Sequence, residues 1–341
     1  MDNIVPFLLA GGAICSAGDN VIASEVRVSA GSEKSVLVFD VGGSHISAAV
    51  CHSDDFRLGS VITAAHPAGE TSGAFINLLH SLGMQAGVDT VDVSGASIAI
   101  PGPFDYKTGV SYMRHKLPYL FGVNVHEALA ERFGWQASQI CSLNDADAFL
   151  LGEIGAGAAR GIPRAVGLTL GTGIGSAFAV DGHVVIEGPG VPPDGEIWNL
   201  PYEGGIVEDS VSTRAIQAYY RKRTGITREV AEIAADANSD SAASEAFIEF
   251  GRHLGLAMRS TLYSFAPDVV VLGGGISHSA PLFLSTALAH LHGLKVELRI
   301  SALFDHAALV GAGVRWFETR DDGANGALAA AAAGDALTGA I

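Results

Sequence analysis

Leu168-Thr169-Leu170-Gly171-Thr172-Gly173-Ile174-Gly175-Ser176-Ala177-Phe178-Ala179-Val180 reads as a strand, a glycine-rich turn and a second strand. Well upstream, Phe39-Asp40-Val41-Gly42-Gly43-Ser44-His45-Ile46 makes the same transition: an apolar run ends on an acid, two glycines and a hydroxyl residue, and a β-rich run then continues to Val50. Either turn alone is explained by the freedom of glycine in tight turns. Two matched hairpins are different, because their exposed backbone N–H groups suit one polyphosphate held between two lobes.

Working outward, a third glycine run closes the β-branched segment Asp268-Val269-Val270-Val271-Leu272, followed by Gly273-Gly274-Gly275 and an amphipathic pattern over 280–291. Strand, glycines and helix start together favour an anion or a flat ring lying close to the backbone, and a tight strand-to-helix connection is the plain alternative. Strand-like runs are expected at 36–41, 46–51, 58–63, 97–100, 139–143, 165–170, 176–180 and 184–187. Helices are expected over 73–85, 125–133, from the Asn144-Asp145 pair to 154, and over 243–265. In the last of these, Phe247, Phe250, Leu254, Met258 and Leu262 recur at three- and four-residue spacing, which marks a core-facing stripe and no ligand role. Strands alternating with helices in two similar halves predict an α/β protein with a cleft between two lobes.

Bulk properties narrow the chemistry. The 341 residues are 48% hydrophobic and 16% charged, with a net charge of −16, and the 20 basic residues are scattered. A nucleic-acid-binding face needs clustered Lys and Arg, so it is excluded, and an anionic ligand must rely on backbone amides, a metal ion or a few placed cations. Cys15, Cys51 and Cys141 are odd in number and lack C-x-x-C spacing, which predicts neither disulfides nor a cysteine zinc site and fits a reducing cytoplasm. No run reaches the roughly 18 apolar residues of a membrane span. The apolar stretch 4–15 lacks a basic n-region, so residues 1–34 are read as an extension, and the Ala/Gly-rich 321–341 as a flexible tail.

Taken in order, these motifs resemble the ROK family of sugar kinases, within the actin-like ATPase superfamily, over about residues 35–316. Asp40-Val41-Gly42-Gly43-Ser44 is similar to the family's first phosphate motif, Gly171-Thr172-Gly173-Ile174-Gly175 to its second, and Gly273-Gly274-Gly275 to its adenosine motif. Ile98-Ala99-Ile100-Pro101-Gly102-Pro103 resembles the sugar-side loop, Asn144-Asp145-Ala146-Asp147-Ala148 the catalytic Asn-Asp segment, and Gly195-Glu196-Ile197 the start of a Gly-Glu-(Ile/Phe)-Gly-His motif.

The resemblance implies a two-lobed, ribonuclease H-like fold with a small lobe over 35–143, a large lobe over 144–304 and a return to the small lobe over 305–320. It implies that Asp145 is the general base for a sugar hydroxyl attacking the γ-phosphate of ATP, although Asn144-Asp145 also reads as an ordinary helix cap. By the same analogy Asp40 holds Mg²⁺ through water, and Gly42, Gly43, Ser44, Gly171, Thr172, Gly173, Gly273, Gly274 and Gly275 line ATP. Pro101, Gly102, Lys116, Asn144, Asp145, Glu196, Asn199 and Glu208 meet the sugar.

Departures from the family bear on substrate more than on reaction. Trp198-Asn199 replaces Gly-His, and the cysteine cluster that follows in the family is absent between Leu200 and Asp209, so no structural zinc is expected. Lys116-Leu117-Pro118-Tyr119 stands where an Asn-Leu-Pro-Trp stretch often lines the sugar pocket; an ammonium donates hydrogen bonds and accepts none. The expected activity is ATP- and Mg²⁺-dependent phosphorylation of a hexose hydroxyl, glucose by default. A C7-cyclitol or related polyol is the alternative substrate, and a non-catalytic sugar-binding or repressor-type relative the alternative class. The family analogy allows a homodimer, and the crossings near 143–145 and 301–305 are the expected hinges for closure on substrate.

Overall fold

The computed structural model describes residues 34–67 and 71–320; the extension expected over 1–34, apart from Lys34, and the tail expected over 321–341 lie outside the described residues. Two five-stranded sheets dominate. The first is built from β1 (Ser35–Val41), β2 (His45–His52), β3 (Ile62–Ala65), β4 (Val93–Ala99) and, beyond the short ladder of β5 (Phe104–Asp105) and β6 (Val110–Ser111), β7 (Ile140–Leu143). Its order is β3-β2-β1-β4-β7, with β3, β2 and β1 antiparallel and β1, β4 and β7 parallel.

The second sheet repeats that pattern. It comprises β8 (Arg164–Leu170), β9 (Ile174–Val180), β10 (His183–Val184) and, beyond the small hairpin of β11 (Pro201–Tyr202) and β12 (Gly205–Ile206), β13 (Val269–Gly273) and β14 (Glu297–Ile300). The order is β10-β9-β8-β13-β14, again antiparallel across the first three strands and parallel across the rest. Thus the hairpin similarity seen in the sequence is one part of a whole-sheet repeat.

Helices cover both faces of each sheet, which is why the central strands are apolar on both sides rather than alternating. Leu37, Phe39 and Val41 of β1 pack with α1 (Ser72–Gln85) and α2 (Val125–Phe133), whereas Val36 and Val38 point to the other face. There they meet Leu309, Val310, Val314 and Trp316 from a helix over 307–320, α9. In the second sheet Val166, Leu168, Leu170, Val270 and Leu272 face the stripe Phe247, Phe250, Leu254, Met258 and Leu262 of α7 (Ser241–Phe265). That stripe is core, as its spacing requires, and each such buried side chain contributes about 1.5–3 kcal/mol. Between α3 (Asp145–Ala156) and α7 lie α4 (Val207–Ser210), α5 (Thr213–Thr224) and α6 (Val230–Asp236), and α8 (Leu284–His290) follows β13.

The two sheets are joined by α3 and α9. Phe149 and Leu150 of α3 pack on the second sheet, while Ala148 and Leu151 face the cluster that contains β1 and α9. The two helices cross where Gly152 faces the Ala307 carbonyl and Gly311 faces the Ala148 carbonyl, so a methyl group at either glycine would collide with backbone. Beside this crossing the Glu153 carboxylate is fully buried and accepts from Ala158 N at 2.6 Å, Ala302 N at 3.2 Å, Leu303 N at 3.1 Å and the Ser301 hydroxyl. Three backbone N–H groups and a hydroxyl satisfy a charge that would otherwise be costly to bury.

Several local expectations shift. The strand expected over 58–63 forms at Ile62–Ala65, the one over 184–187 is only His183–Val184, and β14 was not expected. The helix anticipated over 280–291 is split: a 3₁₀ segment Gly275–Leu282 comes first, and α8 starts only after Pro281, whose ring and missing N–H disfavour one continuous helix.

Candidate active site

Counted between paired strands, the first glycine turn has four residues and the second three. Asp40 pairs with Ser47 and Val41 with Ile46, leaving Gly42-Gly43-Ser44-His45 as the first turn. Leu170 pairs with Ile174, leaving Gly171-Thr172-Gly173 as the second. In the first, Gly42 N donates to the His45 carbonyl at 3.0 Å, and His66 Nε2 reaches the Gly42 carbonyl at 2.8 Å while its Nδ1 meets Tyr119 Oη at 3.1 Å. Because Nε2 faces a carbonyl oxygen, it carries the proton, and Nδ1 accepts from the tyrosine. Ser44 is exposed, and its hydroxyl meets His45 Nδ1 at 2.9 Å.

The second turn is held by a helix start. Gly171 N donates to the Gly173 carbonyl at 2.9 Å, and the Gly171 carbonyl accepts from both Thr213 N and Thr213 Oγ1 at 2.8 Å. Thr213 is the first residue of α5, so that helix terminus fixes the turn.

Glycine is required at some of these positions for packing and at others not. A Cβ at Gly273 would strike the Phe149 ring, and Gly274, at φ +77, lies against the Leu170 backbone. Those two are a tight connection. A Cβ at Gly43, Gly171 or Gly275 would meet nothing within 4 Å, so nothing in the fold demands glycine there. Open backbone at all three glycine runs is what close approach of a ligand requires.

Asp145 opens α3. The Asn144 side chain caps this helix, its Oδ1 accepting from Ala146 N at 2.8 Å and Asp147 N at 3.3 Å. Asn144 therefore caps the helix, and its Nδ2 also donates to Tyr106 Oη at 3.2 Å. Tyr106 in turn donates to the Ile100 carbonyl at 3.1 Å, which ties the sugar-side loop to the start of α3. Pro101 is buried and Gly102 half-buried beside it. No sequence motif singled out Tyr106.

Acids converge here. Burial pushes the Asp40 carboxyl up to about 7, with Asp145 and then Asp305 adding to the rise. Burial also raises Asp145, which is half-buried at the site floor with protein on most sides; Lys116 opposes this rise. Lys116 is itself exposed, yet its charge reaches Asp145. Asp147 is pushed up to about 7 by burial first and Asp145 next, with Arg315 opposing and Glu196 adding. Asp147 and Asp305 went unnoticed as members of the site. Asp147 was visible in the Asn-Asp segment, whereas Asp305 reaches Asp40 only through the crossing of α3 and α9.

The remaining expected site residues lie on the segment after β10. The Ser176 hydroxyl donates to the Gly195 carbonyl at 2.6 Å and accepts from Ile197 N at 3.1 Å, pinning this loop to β9. Glu196 accepts from the Trp198 indole at 2.7 Å, and Asn199 is exposed next to it. Glu208 N donates to the Trp198 carbonyl at 3.0 Å; its carboxylate packs on Gly173 and pairs with Arg214 at 3.2 Å. Glu208 therefore stands over the second glycine turn.

Oxygen donors near Asp40 suit a hard divalent cation, whose charge would also relieve the crowding of acids. Among the described residues no three His, Cys, Asp or Glu side chains lie close enough together to hold a metal ion. The repeated sheets, the paired turns and the capped Asp145 are now in place, and residues 36–318 match the ROK family model. The chain belongs to the ROK family. Its relatives include a glucokinase of Thermotoga maritima, 27% identical over 54% of this chain and 65% of the relative. A ROK hexokinase from Thermus thermophilus has the same architecture at 26% identity and a TM-score of 0.70, covering 84% of this chain and 99% of that one. A ROK glucokinase from Streptomyces griseus, solved with glucose and AMPPNP, superposes at a TM-score of 0.68 over 82% of this chain and 97% of that one. At 22% identity the Streptomyces structure speaks to the fold alone. This ROK chain has the two-lobed actin-like ATPase fold.

Proposed function

We propose that this ROK protein is an ATP-dependent sugar kinase that transfers the γ-phosphoryl group of ATP to a hexose hydroxyl, with glucose as the default acceptor. The observation that carries the reading is the placement of Asp145: a carboxylate raised by burial, at a capped helix start, among the acids below the first glycine turn and linked through Asn144 and Tyr106 to the loop at Pro101. As the hydroxyl oxygen bonds to phosphorus and ADP departs, the hydroxyl proton passes to the Asp145 carboxylate; a raised affinity for protons favours this role. Gly43, Ser44, Gly171, Thr172 and Gly275 present backbone to the phosphates and nucleoside, and Asp40 orients a hydrated Mg²⁺. Bound magnesium neutralises charge on the phosphates.

Pro101, Gly102, Lys116, Asn144, Glu196, Asn199 and Glu208 are assigned to the acceptor. A cyclitol or related polyol is the second reading, supported by two features of this pocket: the Trp198 indole occupies one oxygen of Glu196, and Lys116 brings a donor-only group toward Asp145. The lobes assigned to 35–143 with 305–320 and to 144–304 would close on the acceptor around the α3–α9 crossing. No helix among the described residues is long and apolar enough to cross a membrane. A coupled ADP-release screen over hexoses, amino sugars and cyclitols, with ATP or polyphosphate as donor, decides the reading: an acceptor-dependent signal supports it, and none across the panel removes it. Purified protein is expected to hold no stoichiometric zinc, and elemental analysis checks this.

A further inference from the structure

Away from the acid cluster, His253 of α7 is only 4% exposed, and both of its ring nitrogens are engaged. Arg252 Nη2 lies 2.8 Å from Nε2, and Tyr202 Oη lies 2.9 Å from Nδ1. Glu249 Oε1 lies 3.3 Å from the same Nε2, so this nitrogen faces both a donor and an acceptor, and the Tyr202 hydroxyl can donate to Nδ1 or accept from it. Burial first and Arg252 next hold this imidazole below its ordinary value, with Glu203 and Glu249 opposing. The ring also stacks on Tyr219, with centroids 5.4 Å apart and planes 9° apart, and meets Tyr202 edge-on at 5.6 Å.

These partners bracket one short segment. Tyr202 ends β11. Glu203 and Gly204 form the two-residue turn to β12, both at positive φ (47° and 84°), as a type I′ hairpin needs; a glutamate there is unusual. Its carboxylate faces Arg252 at 3.6 Å and His253 at 3.5 Å. At the far end Tyr219 Oη donates to the Ser210 carbonyl at 2.8 Å, closing α4. Between these anchors stands Glu208, over Gly173. The cluster borders a cavity of about 750 Å³ on the side lined by Tyr219, Arg252 and Asp209, so water can reach the segment if the anchors loosen.

We propose that His253 is a positioning residue for acceptor recognition, whose imidazole joins Tyr202, Glu203 and Tyr219 into one clamp that holds residues 201–210 and hence Glu208 at the cleft. The inference rests on the sugar-kinase reading above. His253→Phe keeps the ring but removes both hydrogen bonds; His253→Asn places an amide, able to donate or accept, where Nδ1 was. The Phe variant should raise KM for the accepted sugar about tenfold, the factor expected when roughly one net hydrogen bond of positioning is lost, with KM for ATP and kcat at saturating sugar within twofold of wild type. Hydrogen exchange at the 205–210 amides should speed up in the Phe variant, and the Asn variant should recover most of both effects. A sugar KM that stays at the wild-type value, equal rises in both KM values, or unchanged exchange at 205–210 would each overturn the clamp. If the wild-type protein phosphorylates nothing, the kinase reading fails by itself, and the exchange measurement still decides whether His253 holds the segment.

Discussion

The two glycine turns share a place in sheets of the same topology, yet their surroundings differ. Below the first turn lies an acid cluster, Asp40 with Asp145 and Asp305, and the turn is steadied by a histidine that donates to the Gly42 carbonyl. Around the second turn no acid belongs to the strands; Thr213 from a helix start grips Gly171, and Glu208 from the short helix α4 leans on Gly173. One backbone device has been set in two chemical environments, one suited to a cation and its bound phosphates, the other to a turn whose shape depends on distant segments.

The sharpest way to break this comparison is at the acid shared by both halves. Asp145→Asn keeps the length of the side chain and the Asn144 cap, so the protein should fold, but turnover should fall about 10²- to 10⁴-fold with nucleotide affinity nearly intact. Wild-type turnover in this variant would reduce Asp145 to a helix-start residue.

Asp40→Asn tests the cation side. Turnover at limiting Mg²⁺ should fall about 10²-fold, the loss typical of one electrostatic contact to a transferring group. The ligand-free protein supplies a second readout. Asp40 ionises near 3.8 when unfolded and near 7 when folded, so between those values the folded chain holds the extra proton and stability falls as pH rises. The penalty is complete above about 7, so Asp40→Asn should raise Tm relative to wild type at pH 8, and the gain should shrink toward pH 4. A constant Tm difference across that range would show that burial and the neighbouring acids do not raise Asp40.

Gly43→Ala and Gly173→Ala sharpen the contrast between the turns. The first adds a methyl to open space, so Tm should hold while KM for ATP rises about tenfold as the phosphates lose close backbone approach. The second drives a methyl into the Glu208 carboxylate, the far end of a side chain that can swing aside, so Tm should change little while KM for the acceptor rises. An unchanged ATP KM in Gly43→Ala would mean that no phosphate approaches that turn. The smallest effect is expected for Thr213→Val, which removes one of two hydrogen bonds to the Gly171 carbonyl. About 1 kcal/mol of stability should go, with at most a few-fold rise in KM for ATP, measurable by denaturant titration and initial rates.

How much of this was readable beforehand follows physical lines. The hairpins, the core stripe of α7 and the helix after Asn144 were legible because period-2 and period-3.6 patterns and a capping residue are local properties of the chain. The boundaries of β3, β10 and the segment around Pro281 were not, since short, half-exposed elements take their limits from neighbours.

By itself the sequence determined the α/β class, the repeated strand-turn-strand units and the placement of Asp40 and Asp145 at the ends of buried elements, because each depends on residues adjacent in the chain. Only the tertiary structure decided which glycines are packing devices and which are open, that Asp305 joins Asp40, that Tyr106 links Asn144 to the loop at Ile100, and that His253 gathers residues 202–219 around one ring. Those decisions involve groups brought together from far apart in the chain, and distances of a few ångströms between such groups are set by how sheets and helices pack, which no local pattern encodes.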